Sequence, residues 1–135
     1  MAQFDFVVPV EFLKQLGRLA DVEKYAPQML EESAPILLKT TKAALSSVIS
    51  GDSTGEMVAS VKISHVFHNG YGFYLTVRPT GKDKNGVRNM EKAAYLEYGT
   101  SKRSARPWAA RAQNDAEPAV LAKMTEVFER ECSKE

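Results

Sequence analysis

Ala94-Tyr95-Leu96-Glu97-Tyr98-Gly99-Thr100-Ser101-Lys102-Arg103-Ser104-Ala105-Arg106-Pro107-Trp108 is the stretch from which the rest of the chain can be read. With Met90 and Ala93 before it, its first residues predict a short helix. Gly99 ends that helix, because glycine enters the left-handed conformation that closes helix C-termini. A small-residue, strongly basic loop follows. Pro107 then stands where a first helical residue is tolerated, and Trp108, Ala109 and Ala112 begin the apolar side of the last long helix. Farther on, Val120, Met124, Val127 and Glu131 share one stripe, with Phe128 beside Met124. Pro118 predicts an interruption, with Asn114 or Asp115 to cap a restart. The run from Glu129 to Glu135 reads as polar and exposed.

Before this stretch lies Thr80–Asn89, polar, basic and punctuated by Gly81 and Gly86. It predicts a mobile loop or hairpin tip over 80–90. Two strands precede it, with Val61, Ile63, His65 and Phe67 on one face of the first and Tyr71, Phe73, Leu75 and Val77 on one face of the second. A three-residue loop, His68-Asn69-Gly70, would pair Phe67 with Tyr71 and bring both apolar sets to one face.

Earlier still, Ala34, Leu37, Leu38, Thr41, Ala44, Leu45, Val48 and Ile49 form one broad apolar helical face. Gly51 sits at the expected C-terminal position. Pro27 and Pro35 punctuate this region. Pro35 argues for a restart capped by Ser33, and a single kinked helix from Val22 to Ile49 is the alternative. Asp21 offers an N-cap, and Val10, Leu13, Leu16, Gly17 and Ala20 predict a helix before it. Phe4 and Phe6, closed by Pro9, predict an edge strand or an arm over 1–9 that docks on a neighbour.

The 135 residues predict one α+β domain: N-terminal helices, an antiparallel β-hairpin sheet and a long C-terminal helix. No apolar run reaches the roughly 20 residues needed to span a membrane. The N-terminus carries no basic segment ahead of an apolar one, so no secretory signal is expected. Cys132, the single cysteine, cannot form an internal disulfide. The net charge of +1 conceals a polarity: from Arg78 to Arg111 nine basic residues face three acids, a surplus of +6, and the remainder stands at −5. Such a molecule attracts copies of itself head to tail, or an acidic partner.

No catalytic, cofactor or metal constellation appears. His65 and His68 fall on different strand faces with no ligand near them at metal spacing. No serine sits in a nucleophile elbow, and no glycine cluster forms a phosphate loop. Glu97 is a lone carboxylate, better suited to capping or pairing with the basic turn than to acting as a general base. Lys82, Lys84, Arg88, Lys102, Arg103, Arg106 and Arg111 form the candidate interface. They suit a protein partner. A nucleic-acid-binding module using the basic 78–111 segment, with Tyr98 and Trp108 interleaved, is the alternative.

Tyr95, Glu97, Gly99 and Thr100, followed by Ala105, Arg106, Pro107 and Trp108, resemble the signature of a tailed-bacteriophage family. These are the neck or tail-completion proteins similar to gene product ten of a lambdoid phage, minor tail components. Thr54–Val61 resembles a second family step. Trp108 stands where the family often has phenylalanine, and Ala109-Ala110-Arg111-Ala112 lacks the family's second proline. The resemblance implies a small α+β virion protein without enzymatic activity. It implies action at the head–tail junction in neck or tail completion, with other neck and tail proteins as partners. The charge polarity adds the expectation of an oligomeric ring joined head to tail, and a passing contact with DNA belongs to the nucleic-acid alternative. The resemblance also implies the host cytoplasm as the place of assembly.

Overall fold

The computed structural model describes residues 5–7, 19–49, 55–70 and 72–134. The elements in order are β1 (Asp5–Val7), α1 (Leu19–Val48), α2 (Glu56–Ala59), β2 (Val61–Ile63), β3 (Phe67–Asn69), β4 (Gly72–Pro79), α3 (Asn89–Tyr98) and α4 (Ala109–Cys132). The architecture is α+β, as the sequence predicts. The helix read from Val10 to Gly17, Pro9 and Gly51 lie outside the described residues.

α1 is one continuous helix with both Pro27 and Pro35 inside it. The predicted restart at Ser33 does not occur. Ser33 is buried, and its hydroxyl donates back to the carbonyls of Met29 (2.8 Å) and Leu30 (3.2 Å) instead of capping a new helix. Asp21 likewise lies inside the helix, not ahead of it. Each interior proline costs about 3 kcal/mol. Burying Met29, Leu30, Leu37 and Leu45, each at most 2% exposed, contributes about 1.5–3 kcal/mol apiece. The apolar face therefore outweighs the breaks. The carbonyls that the two prolines leave unpaired belong to Glu23 and Glu31, both exposed residues. The same logic keeps α4 continuous through Pro118, which is exposed, as is Asn114 four residues before it. No restart capped by Asn114 or Asp115 is needed.

β4 is the central strand. β1 runs antiparallel along one edge, pairing Phe6 with Leu75, and β2 and β3 follow one another along the other. The predicted hairpin register is corrected here. Ile63 pairs with Val77, but Phe67 pairs with Tyr74, so Ser64–Val66 stand against Leu75 and Thr76, three residues against two. This is a bulge, and it reverses which side chains face the core. Ser64 anchors it: its hydroxyl accepts the Thr76 N–H at 2.8 Å, and its own N–H reaches the Thr76 carbonyl at 2.8 Å. Val61 stays with buried Leu75, Val77 and Pro79. Phe67 turns to the opposite face, stacked on Tyr74 at 5.2 Å with His65 beside it at 4.0 Å. The turn holds two residues between Asn69 and Gly72, not three.

α1 packs on β4 and β2 with one side and on α4 with another. Gln28 meets Glu131 and Arg106 meets Val48, so α1 and α4 run antiparallel. One apolar cluster joins them, with Met124, Val120, Val127 and Trp108 from the α4 side. Glu131 and Cys132 are half-buried, so the α4 end is less exposed than its composition suggests.

Candidate functional site

The signature residues join three helix ends. Gly99 closes α3 with its N–H on the Tyr95 carbonyl at 2.9 Å and a φ of 75°. A Cβ there would lie 2.8 Å from the Ala105 nitrogen and 2.9 Å from the Arg103 oxygen, so the loop closes tightly only over glycine. The Thr100 hydroxyl accepts the N–H groups of Lys102 (3.2 Å) and Arg103 (3.1 Å), folding the basic segment back on itself. The Arg106 guanidinium donates to the Val48 carbonyl at the end of α1 (3.1 Å), where exposed carbonyls and the helix dipole favour a cation.

Pro107 precedes the first helical residue by two, so it is not in the first turn of α4. Trp108 holds the N-cap position and has no side-chain oxygen to fill it. Glu97 supplies the cap from α3. Its Oε2 accepts the N–H groups of Trp108 and Ala109 at 2.7 Å each, and Oε1 that of Ala110 at 3.4 Å. Helix N-termini present unpaired N–H groups and partial positive charge, which suits a carboxylate. The Trp108 indole is 1% exposed and donates to the Ala93 carbonyl at 2.7 Å.

Beside this clasp lies a groove of about 510 Å³. Val48, Ile49, Met57 and Leu96 give it an apolar lining, Lys92, Lys102, Arg103 and Arg106 bring cations to it, and Glu56 adds a carboxylate. Tyr95 lines it while remaining 53% exposed. Its hydroxyl donates to Glu91 at 3.0 Å, and that carboxylate raises the phenol above its usual pKa. Tyr98 is 70% exposed.

The second basic loop, 80–88, is organised by Asp83. Its Oδ1 accepts the N–H groups of Asn85 (2.8 Å) and Val87 (2.9 Å), and its Oδ2 meets Lys92 Nζ at 2.8 Å. The Lys92 ammonium, then the Val87 N–H, hold the carboxyl below its ordinary value. A backbone bridge between Lys82 and Arg88 closes the loop. Lys82, Lys84, Arg88, Lys102 and Arg103 are exposed, with no acidic side chain paired to any of them among the described residues. Arg106 and Arg111 differ: one is engaged with Val48, the other lies 3.7 Å from Asp115.

Sequence reasoning missed the groove, whose lining comes from the ends of α1, α2 and α3, elements far apart in the chain. It also passed over Asp83 as a hub, although Asp83-Lys84-Asn85-Gly86 carries the turn chemistry that could have indicated it. His65 lies against Phe67 and His68 stacks on Phe73 at 4.4 Å. Among the described residues no cluster of His, Cys, Asp and Glu is arranged to hold a metal, and no helix is long and apolar enough to cross a membrane.

A family model described as "Bacteriophage HK97-gp10, putative tail-component" matches residues 10–99. The match takes in α1, where the sequence carried no recognisable motif, and the Tyr95–Gly99 half of the signature. No curated protein and no solved structure matches. Two-thirds of the sequence lies within the match, and the chain belongs to the HK97 gp10-like family of bacteriophage tail components.

Proposed function

We propose that this tail component, a virion protein by its family, acts at the head–tail junction in neck or tail completion. It works there as a ring of identical subunits, and it catalyses no reaction. The observation that carries this reading is the separation of charge along the α1/α4 pair. The unpaired cations of the 99–106 loop lie at the Val48 end. At the other end, Leu19–Ala34 and Glu126–Lys134 together hold seven acids against three basic residues. α1 has 30 residues and spans about 45 Å, whereas charges in physiological salt are screened over about 8 Å. The two ends of one subunit therefore do not neutralise each other. At the acidic end Glu32, Glu131 and Glu126 pair with Arg130, Lys134 and Lys123, and exposed Glu23, Glu31 and Glu129 are the charge left for a neighbour. Unlike patches meeting head to tail are what a closed ring requires.

Adjoining neck or tail proteins are the further partners, met during assembly in the host cytoplasm. The absence of catalysis is supported by Glu97, the one carboxylate of the signature, which is fully engaged with α4 backbone N–H groups.

The test is Lys84→Glu, Lys102→Glu and Arg103→Glu together in the parent phage, leaving Arg106 intact because it fastens α1. Filled heads beside finished tails, with a folded but unincorporated subunit, are expected. Unchanged incorporation would overturn the ring contact. Disrupting the gene separates positions: tails of wrong length would move the protein to the tail end, and intact infectious particles would remove the junction role.

A further inference from the structure

β1 is attached to the rest of the molecule through one neighbour. Its three residues pair antiparallel with the middle of β4, Asp5 with Thr76, Phe6 with Leu75 and Val7 with Tyr74. Among the described elements it makes no comparable contact with any helix or other strand. β4 is set from its opposite edge, where β3 pairs with Gly72–Tyr74 and β2 with Val77–Pro79, and Leu75 and Val77 are buried in the core. The body of the domain thus forms the edge that receives β1. Eleven residues, 8–18, join β1 to α1. Extended, such a segment reaches about 36–40 Å, more than the roughly 30 Å diameter of a small domain. The β4 edge of an adjacent copy is therefore within reach of the same strand.

A ring joined by charge alone is weakly held, since exposed ion pairs contribute little and salt screens them. Apolar docking does not make up the difference among the described residues. Their exposed large hydrophobics, Ile63, Val87, Tyr95 and Tyr98, are divided between β2, the 80–88 loop and α3. Backbone pairing supplies what neither does. We propose that within the ring the β1 strand of each subunit pairs with β4 of the next, in the register of this structure, so that exchanged strands join the subunits. The exchange rests on the ring reading and deepens it: the surface is the β4 edge, and the partner is residues 5–7 of a second copy. Each subunit gives one strand and receives one, so no ladder is lost, and swapping an identical element costs little. No β4 edge is left open to unrelated chains. Passed in one direction round the ring, the strands make the unlike, head-to-tail contact that closure requires.

The register supplies the test. The Thr76 N–H and carbonyl both go to Ser64, so toward β1 the Asp5–Thr76 pair is of the non-hydrogen-bonded kind. Its Cα atoms then stand about 4.5 Å apart, within the span of a disulfide. The full chain carries Asp5→Cys with Thr76→Cys, and Cys132→Ser removes the native thiol. Particles assembled with it in the parent phage are oxidised and read by immunoblot on a non-reducing gel. A ladder of covalent oligomers beyond the dimer is expected, collapsing to one band on reduction. In cells making two chains, one with Asp5→Cys and the other with Thr76→Cys, particles should yield a disulfide between the two, which forms only by exchange. Val7→Cys with Tyr74→Cys reads the same register two residues along if the first pair disturbs folding. Cross-linked monomer alone would overturn the exchange, because each β1 would then lie on its own β4. A ladder ending at the dimer, or no disulfide from either pair, would overturn it too. The two readings fail separately. Infectious particles after gene disruption remove the junction role whatever the gels show. Monomer-only cross-links in particles that still join heads to tails remove the exchange alone.

Discussion

The two ends of the α1/α4 pair are fastened by different chemistry. At the Arg106 end, side chains grip backbone: Glu97 takes the first N–H groups of α4, Arg106 a carbonyl of α1, and the Trp108 indole a carbonyl of α3. At the far end, side chains grip side chains. Arg130 reaches both carboxylate oxygens of Glu32, one of them at 3.1 Å. The Gln28 amide donates to Glu32 at 3.0 Å and to Glu131 at 2.9 Å, and Lys134 meets Glu131 at 3.2 Å. Backbone partners neither titrate nor rotate away. Ion pairs do both, and exposed ones contribute roughly 0–1 kcal/mol. The end that bears the family signature is therefore held in one shape, while the acidic end responds to its surroundings. A subunit with one fixed end and one compliant end suits an assembly in which a set surface receives a partner that adjusts to it.

Trp108→Ala should give the largest effect. Removing a fully buried indole costs about 3–5 kcal/mol, and here it also removes the bond that the indole donates to the Ala93 carbonyl of α3. A urea midpoint lowered by less than about 1 kcal/mol equivalent would mean that the signature end is not the firmer one. Glu97→Ala comes next, at about 1–2 kcal/mol for a lost charge-assisted cap. Glu97→Gln should recover part of that loss, because its amide oxygen still accepts N–H groups. Equal losses in the two variants would show that the carboxylate's charge, rather than its acceptor position, fastens the helix.

What the sequence made legible follows from how local each determinant is. The α3 stop at Gly99 and the apolar stripe of α4 depend on residues within a turn or two, and both are found where they were expected. The restarts expected at Pro35 and Pro118 do not occur, and the alternative of one helix through Pro35 holds, because a proline's cost is local while the burial that offsets it comes from distant strands and helices. The hairpin register was misread because one extra residue at Ser64–Val66 inverts the parity on which the pairing argument rested. The sequence hint was only a serine whose hydroxyl replaces a ladder partner. The groove and the Arg106–Val48 contact had no local signal, since 58 positions separate that pair. Glu97 suggested a cap, but its object lay eleven to thirteen residues downstream, across the basic loop.

The smallest expected effect tests the compliant end. The Glu32 carboxyl is held at about 2, against an ordinary 4.5, first by the Arg130 guanidinium and then by the Gln28 amide. Glu131 is lowered as well, with Lys134 the largest cause. A carboxyl whose pKa is lower in the folded chain stabilises the fold as the charged form. That contribution is complete above about pH 4.5 and disappears as pH falls toward about 2. Glu32→Gln should therefore lower the Tm slightly at neutral pH, with the gap to wild type closing over that window and also narrowing in high salt. The gap stays small because the two side chains are 38% and 31% exposed. Trp108→Ala, by contrast, should keep its deficit across the same window, since neither the indole nor the Ala93 carbonyl titrates there. A Glu32→Gln gap that persisted unchanged below pH 2 would mean that packing, not the titrating pair, fastens the far end, and the two ends would then differ in composition without differing in kind.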